Sequence, residues 1–276
     1  MCELLGMSAN TPTDIRFSFT GLMQRGGGTG PHADGWGIAF YEGRGVRSFL
    51  DPQASVNSEV AQVVQNHPIK SECVVCHIRQ ANVGQVSLVN THPFVRELWG
   101  RYWTFAHNGQ LKAFEPSPGF YRPVGTTDSE ALFCDLLNHI RTQHQPDTPD
   151  EMLIKTLVHR CAFYAQDGVF NLLLANGDWL FTFCSTKLAY ITRRAPFGPA
   201  SLKDADVEVD FESETTPDDI VTVIATEPLT TDEQWSIYER GEWRLWEKGE
   251  TTQQGQVEVP KQYPESVLPV EERQDQ

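Results

Sequence analysis

The second residue of the chain is a cysteine, in the order Met1-Cys2-Glu3-Leu4-Leu5-Gly6. An initiator methionine is normally removed when a small residue follows, and the mature chain would then start with a thiol and a free α-amine on one residue. A cysteine nucleophile needs a base within reach. A terminal amine, with an unperturbed pKa of about 7.7–8.0, is partly neutral at physiological pH and supplies one. Taken alone, Cys2 also reads as an ordinary small residue in a first strand.

Acyl transfer further needs amide donors aimed at the developing oxyanion. The segment Phe105-Ala106-His107-Asn108-Gly109-Gln110 offers the Asn108 side-chain amide and the Gly109 backbone N–H, which a missing Cβ leaves approachable. An isolated Asn-Gly pair is equally a plain turn. Arg79 can hold a carboxylate through two parallel hydrogen bonds, and Asp128 can hold an ammonium group. Each has a simpler use, Arg79 in a surface ion pair and Asp128 in the first turn of a helix, where an acid complements the dipole. Two other patterns lead elsewhere. Cys73-Val74-Val75-Cys76-His77 matches the haem-attachment pattern, but reads as a buried strand in a chain with no visible export signal. It also lacks the further ligands that zinc needs, so no metal and no cofactor is expected. Gly26-Gly27-Gly28-Thr29-Gly30 lacks the Gly-Lys-Ser/Thr of a phosphate loop and suits a loop near the site or a linker. His32, His77, His92 and His107 read as core or supporting residues.

The elements that must carry these groups are mostly strands. Residues 35–41, 73–79, 102–106, 188–192 and 220–225 are short strand-like runs bounded by turn residues. Residues 169–175 and 179–184 flank Asn176-Gly177, a hairpin signal. Thr127-Asp128-Ser129-Glu130 is a capping-box pattern opening an amphipathic run through Ile140, and Thr148-Pro149-Asp150-Glu151 opens a second, through Phe163. A third helix is expected from Thr230 to about Gly241, and a weaker one over 55–65. Many strands with a few helices predict an α+β domain with helices covering sheets. The chain turns polar near residue 250, which predicts a catalytic domain over 2–250 and a flexible tail over 251–276.

The chain has 276 residues, 39% of them hydrophobic and 11% aromatic, enough for a substantial core. Its net charge of −15 argues against binding nucleic acid or anionic membranes. No run approaches 18 apolar residues, and the six cysteines sit mostly in apolar runs as reduced thiols would, so a cytoplasmic location is expected.

Read in order, Cys2-Glu3-Leu4-Leu5-Gly6, Gly30-Pro31-His32-Ala33-Asp34-Gly35-Trp36-Gly37, Cys76-His77-Ile78-Arg79-Gln80-Ala81, Thr91-His92-Pro93-Phe94, Ala106-His107-Asn108-Gly109 and Thr127-Asp128-Ser129-Glu130 resemble the motifs of class II glutamine amidotransferases. The stretch Arg193-Arg194-Ala195-Pro196-Phe197-Gly198 is similar to the stand-alone, YafJ-type members. The resemblance spans residues 2 to about 250. It implies an N-terminal-nucleophile αββα sandwich, two stacked antiparallel sheets between helical layers. It also implies Cys2 as nucleophile, its α-amine as base, Asn108 and Gly109 as oxyanion hole, Arg79 on the substrate α-carboxylate and Asp128 on its α-ammonium. The family's aromatic-Ala-Thr-His stretch after the arginine is here Gln80-Ala81-Asn82-Val83. Asn82 can still bond a carboxylate, and Val83 cannot. The implied activity is hydrolysis of the side-chain amide of glutamine or a related γ-glutamyl compound, releasing glutamate and ammonia or an amine. The alternatives are an ammonia-donating subunit for a separate partner enzyme and a non-catalytic glutamine sensor.

Overall fold

The computed structural model describes residues 2–81, 84–112, 114–210 and 216–263. The strands are β1 (Glu3–Asp14), β2 (Trp36–Glu42), β3 (Gly45–Asp51), β4 (Lys70–Ile78), β5 (Phe94–Leu98), β6 (Arg101–Leu111), β7 (Gly168–Ala175), β8 (Leu180–Phe183), β9 (Ala189–Arg194), β10 (Pro199–Ser201), β11 (Glu208–Asp210), β12 (Ile220–Ala225), β13 (Ser236–Ile237), β14 (Glu242–Glu247) and β15 (Glu250–Gln256). The helices are α1 (Arg16–Arg25), α2 (Glu59–Asn66), α3 (Asp128–Gln143) and α4 (Asp150–Tyr164). One antiparallel sheet runs β13-β9-β12-β1-β4-β2-β3 and a second runs β15-β14-β8-β7-β6-β5. β10 and β11 form a separate ribbon.

Side-chain alternation on β1 explains the stacking. Leu5, Met7 and Ala9 face outward, where Phe19, Leu22 and Met23 of α1 and Ala61 and Val64 of α2 cover them. Leu4 faces inward against Leu173, Ala175 and Leu180 of the second sheet. Gly6 also faces inward, and a Cβ there would lie 3.1 Å from Leu180 Cδ2, so the sheets approach closely at this point. On the far side, α3 and α4 pack Leu132, Phe133, Leu136, Leu157 and Tyr164 against Phe105, Phe170 and Phe183. The result is four layers, helix–sheet–sheet–helix, as the resemblance implies. Each of these large side chains contributes on the order of 1.5–3 kcal/mol by leaving water.

The expected capping box of α3 is half realised. The Thr127 side chain accepts the Glu130 N–H at 3.2 Å, but the Glu130 carboxylate takes the Gly125 N–H at 2.6 Å and pairs with Arg96 instead of reaching back. The helix expected over 230–241 does not form. Glu233 is engaged by Arg193 through two bonds of 2.6 and 2.7 Å, and Ser236–Ile237 pairs with β9 as a strand. The flexible tail expected over 251–276 needs correction at its start, since Glu250–Gln256 pairs along β14 as an edge strand and Tyr263 is buried, while residues 264–276 lie outside the described residues. Its alternating polar residues suit a strand with one wet side. Helix α1 was not expected. At its start the Asp14 carboxylate takes the Arg16 N–H at 2.9 Å, but its sequence has little amphipathic signal, so packing against β1 and α2 stabilises it more than local propensity does.

Tyr41 pins the sheets together. Its hydroxyl, on β2, lies 2.8 Å from the Ala175 carbonyl, 3.0 Å from the Tyr102 carbonyl and 3.0 Å from the Thr104 hydroxyl, all on the second sheet. Tyr41→Phe strips a buried bonding partner from these groups and is expected to cost about 1–3 kcal/mol. Urea unfolding checks this: the midpoint should fall with the slope unchanged, and an unmoved midpoint would contradict the role.

Candidate active site

Cys2 directly precedes β1, and the β1–β4 register pairs Glu3 with Ile78. The antiparallel arrangement therefore carries residue 2 to the Arg79–Gln80 end of β4. The Cys2 sulfur accepts the Gln80 N–H at 3.4 Å and lies 3.5 Å from the Gln80 carbonyl oxygen. Five of the six cysteines are buried and Cys2 is partly exposed. Cys73 faces the inter-sheet core and Cys76 faces α1, so the two cannot share a ligand. Beneath Cys2, Arg25 binds Glu3 at 3.0 Å, Asp204 at 2.8 Å and the Pro228 carbonyl at 2.8 Å. This buried junction ties the residue after Cys2 to two loops.

Arg79 is buried and braced by the glycine-containing motif before β2. Its N–H donates to the Gly35 carbonyl at 2.8 Å, its carbonyl accepts from Asp34 N–H at 3.1 Å, and the Asp34 carboxylate accepts from Ala81 N–H at 2.7 Å. Gly35 has φ +114°, a conformation that favours glycine. The Arg79 guanidinium donates to the Gln85 carbonyl at 3.1 Å and the Gly84 carbonyl at 3.4 Å. Asp128 opens α3, with its carboxylate accepting Leu111 N–H at 3.0 Å and Ser129 N–H at 2.9 Å. These bonds aim it across from β6.

One small cavity is lined by Cys2, Arg79, Gly109 and Asp128 together, with Gln80, His92 and His107. Asn108 is buried next to Gly109. Its side-chain nitrogen makes only a long contact of 3.4 Å to the Thr226 hydroxyl, and its side-chain oxygen has no partner among the described residues. A Cβ on residue 109 would lie 1.8 Å from the Val169 carbonyl oxygen, so only glycine fits there. Asn82 lies outside the described residues, as does Val83. Four of the six expected site residues therefore share the cavity and Asn108 flanks it. A larger cavity of about 380 Å³, lined by Met7, Ile15, Phe197 and Val221, opens at the far end of β1 and contains none of them.

Three contributors carry no clear signal in the sequence. The Gln80 main chain contacts the sulfur, and backbone groups carry no residue-type signal. His92 and His107 have the sequence character of supporting residues, yet both border the cavity. Burial pushes the His77 imidazole down to about 3 and holds His92 and His107 below their ordinary value, so all three rings are neutral at physiological pH. Burial also raises the Cys2 thiol, while Arg79 opposes the rise. A neutral thiol beside neutral imidazoles leaves deprotonation to another group.

Two antiparallel sheets stacked between helices, with a cysteine heading a central strand, define an N-terminal-nucleophile amidotransferase fold. The family model of class-II glutamine amidotransferases matches residues 1–269, and the chain belongs to that family. It is 62% identical to YafJ of Escherichia coli strain K12, which carries a glutamine amidotransferase name, over 91% of this chain and 99% of that one. A crystal structure from Pseudomonas aeruginosa PA01, also named as a glutamine amidotransferase, is 69% identical and superposes with a TM-score of 0.76, covering 91% of this chain and all of that one. The fold extends to the glutamine phosphoribosylpyrophosphate amidotransferase of Bacillus subtilis, at 14% identity and a TM-score of 0.60, where 94% of this chain covers 50% of that one. Among the described residues no helix is long and apolar enough to cross a membrane.

The raised thiol has a direct consequence. In chain that retains Met1, Cys2 should stay protonated past its ordinary value of 9.0. Iodoacetamide labelling, followed by peptide mass spectrometry, should therefore still be accelerating above pH 9. A plateau below pH 8 would contradict this environment.

Proposed function

We propose that the protein hydrolyses the side-chain amide of glutamine or of a related γ-glutamyl compound, using Cys2 as an N-terminal nucleophile. The observation that carries this reading is the single cavity shared by Cys2, Arg79, Gly109 and Asp128. A nucleophile, a cation, an approachable backbone position and an anion match the parts of a γ-glutamyl substrate: amide carbon, α-carboxylate, developing oxyanion and α-ammonium.

After Met1 is removed, the α-amine of Cys2 takes the thiol proton and the sulfur attacks the δ-carbonyl carbon. The tetrahedral oxyanion forms against the Asn108 side-chain amide and the Gly109 N–H. Asn108 can turn to it because it gives up only the long contact with Thr226. The amine passes its proton to the leaving nitrogen, the C–N bond breaks, and ammonia or an amine departs. Water then adds to the thioester with the amine as base, releasing glutamate and restoring the thiol. Arg79 and Asp128 hold the amino-acid head group at opposite ends. Asn82, which stands where the family pattern has threonine, can also bond the carboxylate.

Two variants test the assignment. Cys2→Ala should abolish glutamate release from glutamine and from γ-glutamyl amides while leaving the unfolding midpoint near that of the wild type. Asp128→Asn keeps the shape but removes the charge that faces the ammonium, and should raise KM by roughly tenfold or more, the loss expected for a charge-assisted bond. Full activity in Cys2→Ala would overturn the mechanism.

A further inference from the structure

His92 is buried, with 3% of its surface exposed, and neither ring nitrogen has a hydrogen-bond partner among the described residues. Buried polar groups are nearly always paired, so an imidazole with two open positions calls for an explanation. Its neighbours are rings. The His77 ring packs at 4.1 Å and the Phe94 ring at 4.4 Å between centroids, tilted by 31° and 50°, and neither ring nitrogen of His92 is partnered there. The nearby histidines differ in this respect. His107 bonds the Ser129 hydroxyl at 2.9 Å and the Val169 carbonyl at 3.2 Å, and His77 bonds the His107 carbonyl at 3.1 Å. His92 alone of the three borders the Cys2 cavity with both nitrogens open.

We propose that His92 is a substrate-binding residue that donates its ring N–H to the α-carboxylate of the bound γ-glutamyl head group, beside Arg79. This rests on the reading of the cavity as a γ-glutamyl site. A carboxylate offers about four acceptor positions, and a bidentate arginine fills two. Arg79 already spends donors on the Gln85 and Gly84 carbonyls. The chain also carries Val83, which has no polar side-chain atom, in the stretch that follows the arginine. The carboxylate therefore has room for a further donor at this end. The segment leading into His92 runs beside Arg79: a Cβ on Gly84 would lie 3.3 Å from Asn90 Nδ2 and 3.5 Å from Arg79 Nη2, and Thr91 lies against Gly35, whose carbonyl takes the Arg79 N–H, which puts His92 at the carboxylate end. A ring kept neutral by burial still has one N–H to give, and the ring contacts with His77 and Phe94 hold its plane.

His92→Phe keeps a flat ring for these ring contacts and removes both nitrogens. The expected result is a KM for glutamine raised about tenfold with kcat within about twofold, the pattern of a contact made equally in ground and transition states. A purely packing role would leave KM unchanged, and that result overturns the proposal. A second measurement does not depend on this variant folding. In a crystal structure of the Cys2→Ala protein with glutamine, a His92 ring nitrogen should lie within hydrogen-bond distance of the substrate α-carboxylate. Glutamine bound at Arg79 with His92 untouched would overturn this inference alone. Glutamine bound away from Arg79 and Asp128 would overturn the site reading as well.

Discussion

The register of β1 against β4 is the constraint on which the site depends. Leu5 lies opposite Cys76 and Glu3 opposite Ile78, which leaves Cys2 facing the Arg79–Gln80 turn. β1 is buried on both faces from Glu3 to Ala9, with helices on one side and the second sheet on the other. A slip of one residue would drive Leu5 and Met7 into the tight inter-sheet gap at Gly6 and move Leu4 outward. Such a slip carries a large penalty in packing, so the core itself fixes where the sulfur sits. Glu3, locked by Arg25 immediately after Cys2, holds the start of the strand against fraying.

Electrostatics follow from the same burial. The cavity lies at the end of the two stacked sheets, where desolvation disfavours charge on thiol and imidazole alike. The charges retained there are Arg79, braced by backbone carbonyls and the Asp34 turn, and Asp128, held by N–H donors at the head of α3. Such a pocket favours a substrate that brings its own matching charges and a nucleophile whose base travels on the same residue. The histidines then bond or pack rather than shuttle protons.

Much of this was legible in the sequence because short-range signals agreed with the tertiary outcome. Asn176-Gly177 marks the β7–β8 connection, where Gly177 adopts φ +93°, and Thr127 caps α3. The ordered motifs implied the layers, and of the residues they named, Arg79, Gly109 and Asp128 line one cavity with Cys2. What was missed depends on distant contacts. Thr230–Glu233 resembles a helix start until Arg193, 40 residues away, takes the Glu233 carboxylate. β15 looks like a polar tail because an edge strand shows water every second side chain. α1 lacks a clear apolar stripe, and its packing against β1 and α2 explains it. The role of the Gly30–Gly37 motif was also hidden, since it works by bracing the Arg79 backbone and not by offering a reactive side chain.

The central claim is a covalent one, and acid-quenched turnover with intact-mass and peptide mass spectrometry tests it most directly. Enzyme stopped during glutamine hydrolysis should lack Met1 and carry one glutamyl group on the peptide that begins at Cys2. Turnover by a chain that keeps Met1, or a glutamyl adduct on any other residue, would contradict the account.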